Sequence, residues 1–294
     1  MKSSLEKKNC LWGYAFITPA LLAFLIFIAF PFICSLLLSL TEWNFVSGWS
    51  GIKWVGLKNF KFLLTDRNFS YAVKNTFIYA VTTVPTSIVL ALILAYVLNG
   101  KVAGKKLFRT CFFIPYISSL VAITAVFKFL FREDGIINNL LCAMGGVSVQ
   151  WLSDDRFTKL PIIILMIYTA IGYNLIVYMA AIQNVPKELY EASMLDGATG
   201  FKQFVHITVP LISPTTFFLL IVRLIMAFKV FTSINVFVMG DVARSSTSLV
   251  VEIYEKAFRH YKFGYASAEA VVLFVIIMIV TAINFWGQKK WVNY

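Results

Sequence analysis

Arg223 and Lys229 are the two charged residues of the apolar stretch Leu211–Asn235. A guanidinium about 12 residues into such a run lies roughly 18 Å along a helix axis, near the middle of a bilayer. A charge placed there is costly and marks a functional position by default. Thr232 and Asn235 follow Lys229 toward one end, and a second run, Leu160–Ile182, carries Tyr173 and Asn174 near its middle. A tyrosine ring can stack on the face of a sugar, and an amide can hydrogen-bond its hydroxyls. Two cations facing one cavity would favour an anionic substrate, such as glycerol phosphate or a sugar phosphate, over a neutral oligosaccharide or polyol. Each residue also has a plainer use. Asn174 suits a hydrogen bond between helices. Lys229 can snorkel outward, or pair with Glu269 of the last apolar run. Arg223 is too deep to snorkel, which leaves a cavity or a subunit interface. Glu269 is the one clear acid inside a run, so an ion-coupled secondary transporter would depend on it. Its place close to the start of that run predicts a wet position.

Other chemistries find little support. Gly100–Lys106, "GKVAGKK", has three residues between its glycines where a phosphate loop has four, and Lys106 stands where Mg²⁺ needs Ser or Thr. It is a basic turn before an apolar run, so this chain is not expected to hydrolyse ATP or to be an enzyme. The two histidines make no HExxH pattern, and Cys10, Cys34, Cys111 and Cys142 lack metal-ligand spacing. Neither a metal nor another cofactor is expected in the chain.

The segment Leu189–Pro210, "LYEASMLDGATGFKQFVHITVP", is too polar to cross a bilayer. Pro186 suits the first turn of a helix, and Glu188 and Glu191 fall near the positive end of its dipole. Leu189, Ala192, Ser193 and Asp196 share a face, Gly197 supplies a stop, and Phe201–Ile207 reads as a second short helix. Such a segment can be a solvated connector on lipid headgroups. Interfacial helices, however, are usually basic on the polar face. This one is acidic, which favours docking into a groove of a partner protein.

These residues are positioned by membrane helices. Of 294 residues 60% are hydrophobic and only 14% charged, and mean hydropathy is +0.80, beyond what a water-soluble chain can cover. Six apolar runs are long enough to span: Tyr14–Leu40, Ala72–Leu98, Leu107–Phe131, Leu160–Ile182, Leu211–Asn235 and Ala266–Gly287. The first is too long for a secretory signal and no small-residue cleavage site follows, so it reads as a retained span. The net charge of +12 does not point to nucleic acid, because the basic residues cluster at the ends of runs. Lys2, Lys7 and Lys8, then Lys101, Lys105, Lys106 and Arg109, then Lys289 and Lys290, mark one side as cytoplasmic. Both termini and the acidic segment then face the cytoplasm. The fold class is an all-α integral membrane protein of six helices. Residues 1–13 form the cytoplasmic N-terminus, 14–288 the six-span membrane domain with the acidic segment 184–210 inside it, and 289–294 the tail.

The acidic segment also resembles a known signature. Glu191-Ala192-Ser193, then Gly197 after three residues, then Ile207-Thr208-Val209-Pro210 after nine more, is similar to the E-A-A-x3-G-x9-I-x-L-P pattern of ABC importer permeases, with Ser193 and Val209 as small departures. Pro186, Glu188, Leu189, Tyr190, Asp196 and Phe204 resemble the carbohydrate-uptake branch, the maltose and glycerol-phosphate type. So do Asn75-Thr76, Pro115-Tyr116, Ser118-Ser119, Gly135, Asn138, Trp151-Leu152, Phe228–Phe231 and Phe263–Ala266. A Gly-Gly-Pro loop common in that branch is replaced by Gly240-Asp241-Val242-Ala243-Arg244, which leaves the shape of this outer loop open. The resemblance implies a type I importer permease fold in the cell membrane and transport by alternating access. It implies a second, similar permease subunit, two ATPase subunits holding ATP and Mg, and an extracytoplasmic solute-binding protein. It also implies that Glu191, Ala192, Ser193, Asp196, Gly197, Ile207 and Pro210 form the coupling helix docked on the ATPase, Glu191 pairing with a basic residue there. Tyr173, Asn174 and the stretch from Phe228 through Lys229 to Thr232 would line the substrate path.

Overall fold

Backbone amides cannot stay unpaired in hydrocarbon, so apolar runs of this length must close their hydrogen bonds within helices. The computed structural model describes residues 2–100, 102–238 and 244–292. Its helices in chain order are α1 (Lys2–Phe24), α2 (Phe30–Ser39), α3 (Lys58–Leu63), α4 (Arg67–Asn99), α5 (Lys105–Ile117), α6 (Leu120–Leu130), α7 (Ile136–Ala143), α8 (Lys159–Gln183), α9 (Lys187–Leu195), α10 (Gly200–Gln203), α11 (Val209–Leu211), α12 (Ser213–Phe228), α13 (Thr232–Val238), α14 (Leu249–Tyr254) and α15 (Phe263–Gly287). The altered loop at 240–243 lies outside the described residues, as do Met1, Lys101 and the last two residues of the tail. Helix α1 runs through residue 13 without a break.

Among the described residues five stretches are long and apolar enough to cross a membrane: Trp12–Ser39, Arg67–Asn99, Lys159–Gln183, Ser213–Phe237 and Phe263–Lys290. The pair α5 and α6, bent by 101°, makes a sixth when the two are counted as one broken span. The sequence predicts one uninterrupted run over Leu107–Phe131, and here the structure corrects it. Ser118 takes an extended backbone, and its amide and hydroxyl both return to the Ile114 carbonyl, at 3.0 and 2.8 Å. Ser119 then opens α6, accepting from the Ile123 amide. Serine competes with the helical ladder in this way, and two in succession end it.

Proline shapes two other helices. A π turn at Leu25–Ala29 ends where the Phe30 N–H donates to the Leu25 carbonyl, one residue before Pro31. A second, at Phe204–Thr208, ends with Val209 donating to Phe204, one residue before Pro210. A proline ring crowds the carbonyl four residues back and offers it no donor, and the wider turn accommodates both.

The chain forms two compact units, Met1–Thr65 with Ile253–Val272 and Asp66–Glu252 with Leu273–Tyr294. In the first, β1 (Thr41–Glu42) pairs antiparallel with β2 (Lys53–Trp54). Asn59 Nδ2 ties α3 to this turn by donating to the Ser39 and Thr41 carbonyls at 2.9 and 2.8 Å. Trp43 packs against the rings of Phe45, Trp49 and Phe263. Gly264 lies against the Thr41 carbonyl so closely that a Cβ would overlap it. That approach, followed by the small residues Ala266 and Ala268, carries the start of α15 inward. Glu269, expected to be wet, is fully buried.

In the second unit the core is Tyr79, Ile162, Leu165, Ile234, Phe237 and Val251, contributed by α4, α8, α13 and α14. Polar groups of α4 hold the chain before α14: Tyr79 donates to the Ser246 carbonyl at 2.7 Å, Asn75 to Thr247 at 3.0 Å, and Thr76 accepts from the Leu249 amide at 2.9 Å. Asn138 organises the segment after α6. Its Oδ1 accepts from the Val149 amide and Trp151 Nε1, at 3.0 and 2.9 Å, and its Nδ2 donates to the Arg132, Glu133 and Val149 carbonyls.

Candidate functional site: a cationic cavity and an exposed acidic segment

Both sequence-predicted sites belong to the second unit. Helices α4, α8 and α12, with Leu120 of α6 and the turn into α13, line an open-sided cavity of about 260 Å³. Arg223, Lys229 and Thr232 line it together with Thr83, Ser87 and Thr169. Arg223 is 8% exposed. Its Nε donates to Asn174 Oδ1 at 2.6 Å, one terminal nitrogen to the Ala170 carbonyl at 3.0 Å, and the other approaches Met226 Sδ at 3.6 Å. Its guanidinium carbon stands 5.0 Å from the centre of the Tyr173 ring, which in turn packs on Tyr116 at 5.2 Å. The charge is therefore held by neutral acceptors and a π face, and no ion pair of Arg223 exists among the described residues.

The local sequence explains this arrangement. Gly172 lets α8 meet α5, because a Cβ there would collide with the Phe112 carbonyl. The next two residues, Tyr173 and Asn174, then reach Tyr116 and Arg223. Asn174 is fully buried, and its Nδ2 has no partner among the described residues. Its bond to Arg223 joins α8 to α12, the interhelical use weighed above. Lys229 is exposed, lines the cavity, and forms no ion pair among the described residues. Phe228 does not face the cavity. It is buried with its ring edge-on to Phe77 at 5.1 Å, because it stands one residue, about 100° of helical turn, from Lys229. Sequence reasoning missed Thr83 and Ser87, four apart on α4, and Thr169. Their spacing on one helical face was the available signal.

The acidic segment folds as two short helices. Pro186 stands at the N-cap of α9, one position earlier than predicted, and Glu188 lies in the first turn. Gly197 ends α9 at φ +74°. Its amide donates to Met194 at 3.1 Å and that of Ala198 to Ser193 at 2.9 Å, closing the carbonyls left over by the helix. Thr199 then caps α10. Gln203 Nε2 reaches back across the turn to the Ser193 hydroxyl at 2.9 Å and the Tyr190 carbonyl at 3.2 Å. Tyr190 and Thr208 hydroxyls meet at 2.8 Å, and Tyr96 of α4 donates to the Gly200 carbonyl at 2.7 Å. The segment is thus locked internally and anchored to α4. Gln203 and Tyr96 were not singled out from sequence, since neither belongs to the signature.

What the segment leaves outward is chemically mixed. Glu191, Ala192, Asp196 and Gly197 are exposed, and Ile207 and Pro210 are half-buried where the segment rejoins the unit. Glu188, Glu191 and Asp196 form no ion pair among the described residues. Leu195 is 91% exposed, and Met194 and Phe201 are exposed beside it. Acids without partners beside bare apolar side chains make a surface that another protein, carrying basic and apolar groups, would cover.

Comparison with known proteins agrees with this anatomy. A family model for the inner membrane component of binding-protein-dependent transport systems matches residues 75–292. The probable ABC transporter permease protein YesP of Bacillus subtilis is 34% identical over 298 residues, covering 100% of this chain and 95% of that protein. The lactose transport system permease protein LacF of Rhizobium radiobacter is 34% identical, with 98% of each chain covered. A bacterial alginate ABC transporter, crystallised in complex with an alginate pentasaccharide-bound periplasmic protein, shares the fold at a TM-score of 0.85 and 24% identity, with 97% of this chain and 96% of that one covered.

Proposed function

The chain belongs to the family of binding-protein-dependent transport system inner membrane components, and from that premise we propose that it is one of two permease subunits of an ATP-driven importer for a sugar, an oligosaccharide or a related polyol. The observation that carries this reading is the locked, outward-facing segment of α9 and α10 on a chain that has no phosphate-binding loop of its own. A protein that moves a substrate against its gradient must receive energy from elsewhere, and this surface is built to receive a partner. ATP and Mg belong to that partner, a pair of cytoplasmic ATPase subunits. Their closure on ATP moves α9, and the helices reopen toward a binding protein that delivers the substrate from outside. The basic residues before the first span, between the second and third, and after the last support an orientation with both termini and the segment on the cytoplasmic side. The saccharide class is supported by the lactose-transporting relative and by the threonine and serine hydroxyls lining the cavity; Tyr173 and Asn174 stand behind that wall, against Arg223.

The test is co-purification from the native membrane in mild detergent. The expected result is recovery of an ATPase and a second permease with the tagged chain. Glu191→Lys reverses an exposed charge that has no intramolecular partner, so the chain still folds while ATPase recovery drops about tenfold or more. Undiminished recovery by that variant, or a lone chain that transports without ATP, overturns the reading.

A further inference from the structure

The cavity has a charge composition of its own. Its lining contains Arg223 and Lys229, and no lining residue among those described is acidic. Arg223 engages three N–H groups, one of them only on the Met226 sulfur, and a guanidinium has five, so two remain for a ligand. Lys229, at the C-terminal end of α12, keeps all of its ammonium donors. The hydroxyls around them are committed the other way. Thr83, Ser87 and Thr169 donate to the Tyr79, Val84 and Leu165 carbonyls of their own helices, at 2.6, 3.0 and 3.0 Å. Their protons are spent, and their oxygens accept.

We propose that this cavity selects a saccharide carrying an anionic group, a carboxylate or a phosphate, with Arg223 and Lys229 binding the anion and the hydroxyl row accepting from sugar O–H groups. The inference rests on the importer reading above and adds the charge of its cargo. A neutral sugar offers these cations only neutral acceptors, whereas the guanidinium of Arg223 is buried and costly to keep there without a counter-charge. An anion repays that cost through charge-assisted hydrogen bonds, and Arg is suited to both carboxylate and phosphate. Arg223 holds its place through Asn174 and Ala170, so its remaining donors are set before a substrate arrives. Lys229 has the longer, freer reach.

The test uses the whole transporter with its binding protein in proteoliposomes. Three probe sets are offered: mixed oligosaccharides of galacturonate, glucuronate and mannuronate; the same mixture after chemical reduction of its carboxyls, which is neutral at equal size; and glucose 6-phosphate with glycerol 3-phosphate. ATP-dependent accumulation is read by mass spectrometry. The expected result is accumulation of the uronates or the phosphates at least about tenfold above the reduced mixture, whichever set wins naming the anion. Lys229→Glu, at an exposed position, should cut that uptake about tenfold or more by placing a carboxylate beside Arg223. Arg223→Lys should retain more uptake than Arg223→Gln, with ATPase co-purification as the check on assembly. Equal or better accumulation of the reduced mixture overturns the proposal and leaves the importer reading standing, as does anion uptake untouched by Lys229→Glu. No ATP-dependent accumulation of any saccharide overturns the importer reading itself.

Discussion

Gly197 gives a clean perturbation because its backbone and its surroundings make separate demands. Its φ of +74° lies in the left-handed region, yet a Cβ placed there would meet no heavy atom within 4 Å. Gly197→Ala therefore brings no collision, and its cost is the backbone term alone, about 1–2 kcal/mol for an L-residue held left-handed. That weakens the closed turn about 5- to 30-fold relative to the open one. Two hydrogen bonds report on it directly, from the residue 197 amide to Met194 and from Ala198 to Ser193.

The assay is hydrogen exchange on the purified transporter in lipid nanodiscs, read at Ala198 and the last turn of α9. Gly197→Ala should speed exchange there by that factor while α4 and α8 are unaffected. Gly197→Asn should fall between the two, since asparagine tolerates the left-handed region better than alanine. Gly197→Pro fixes φ near −65° and deletes the amide that donates to Met194, so the turn cannot form. That variant should still insert in the membrane and should lose ATP-driven uptake. Exchange in Gly197→Ala equal to the parent, or Gly197→Asn as fast as Gly197→Ala, would show that backbone conformation does not limit the turn. Normal uptake by Gly197→Pro would refute the coupling role outright.

Two further substitutions probe the scaffold. Asn138→Ala removes the acceptor of the Val149 amide and Trp151 indole and the donor to three carbonyls; at about 1–3 kcal/mol for each group left buried and unpaired, thermal unfolding of the purified protein should fall by several degrees. Gly172→Val forces side-chain atoms into the Phe112 carbonyl and should destabilise the α5–α8 crossing by about 1–3 kcal/mol; because Tyr173 and Asn174 follow directly, it should depress substrate uptake more than ATPase co-purification, and equal loss of both would argue against that division.

Much of this molecule is legible in order of sequence. Hydropathy locates the spans because lipid leaves the backbone no alternative, and the runs overlap the span-length helical stretches closely, although α1 begins at Lys2, well before its run, and α12 stops at Phe228, short of Asn235. Gly197 and Pro186 punctuate α9 through local backbone rules that need no tertiary context. Legibility fails where a side chain's role depends on what lies opposite. Ser118 and Ser119 look innocuous in an apolar run, and only the bond from Ser118 back to Ile114 reveals a bend. Glu269 reads as wet from its distance along the helix, but it is fully buried, because burial depends on what packs against a position and not on its depth along the run. Phe228 and Lys229 are neighbours in sequence and face different surroundings, which a stretch-wise assignment cannot separate. Gln203, which joins α10 to α9, carries no sequence signal because its partners are a backbone carbonyl and a serine hydroxyl.

The geometry also bears on how a push at the surface could reach a site inside the membrane. The acidic segment has two exits, and each continues into a helix that holds the cavity. Backward, α9 joins α8 through Asn184–Pro186, and Asn174 lies nine residues from that end, about 14 Å along the axis. Forward, α11 passes into α12 through bonds from the Ile212 amide to Thr208 and from the Ser213 hydroxyl to Pro210. Arg223 lies ten residues further, about 15 Å. Between these levels Tyr178 donates to Thr216 at 3.1 Å, and at the cavity itself Arg223 donates to Asn174. The segment and the two helices therefore make a closed frame with cross-ties at two heights. Gln203 and Ser193 keep α9 and α10 together, so under the proposed coupling a displacement of α9 would load both exits. It would reach the cavity as a tilt of α8 against α12, the kind of motion that changes the spacing between Asn174 and Arg223.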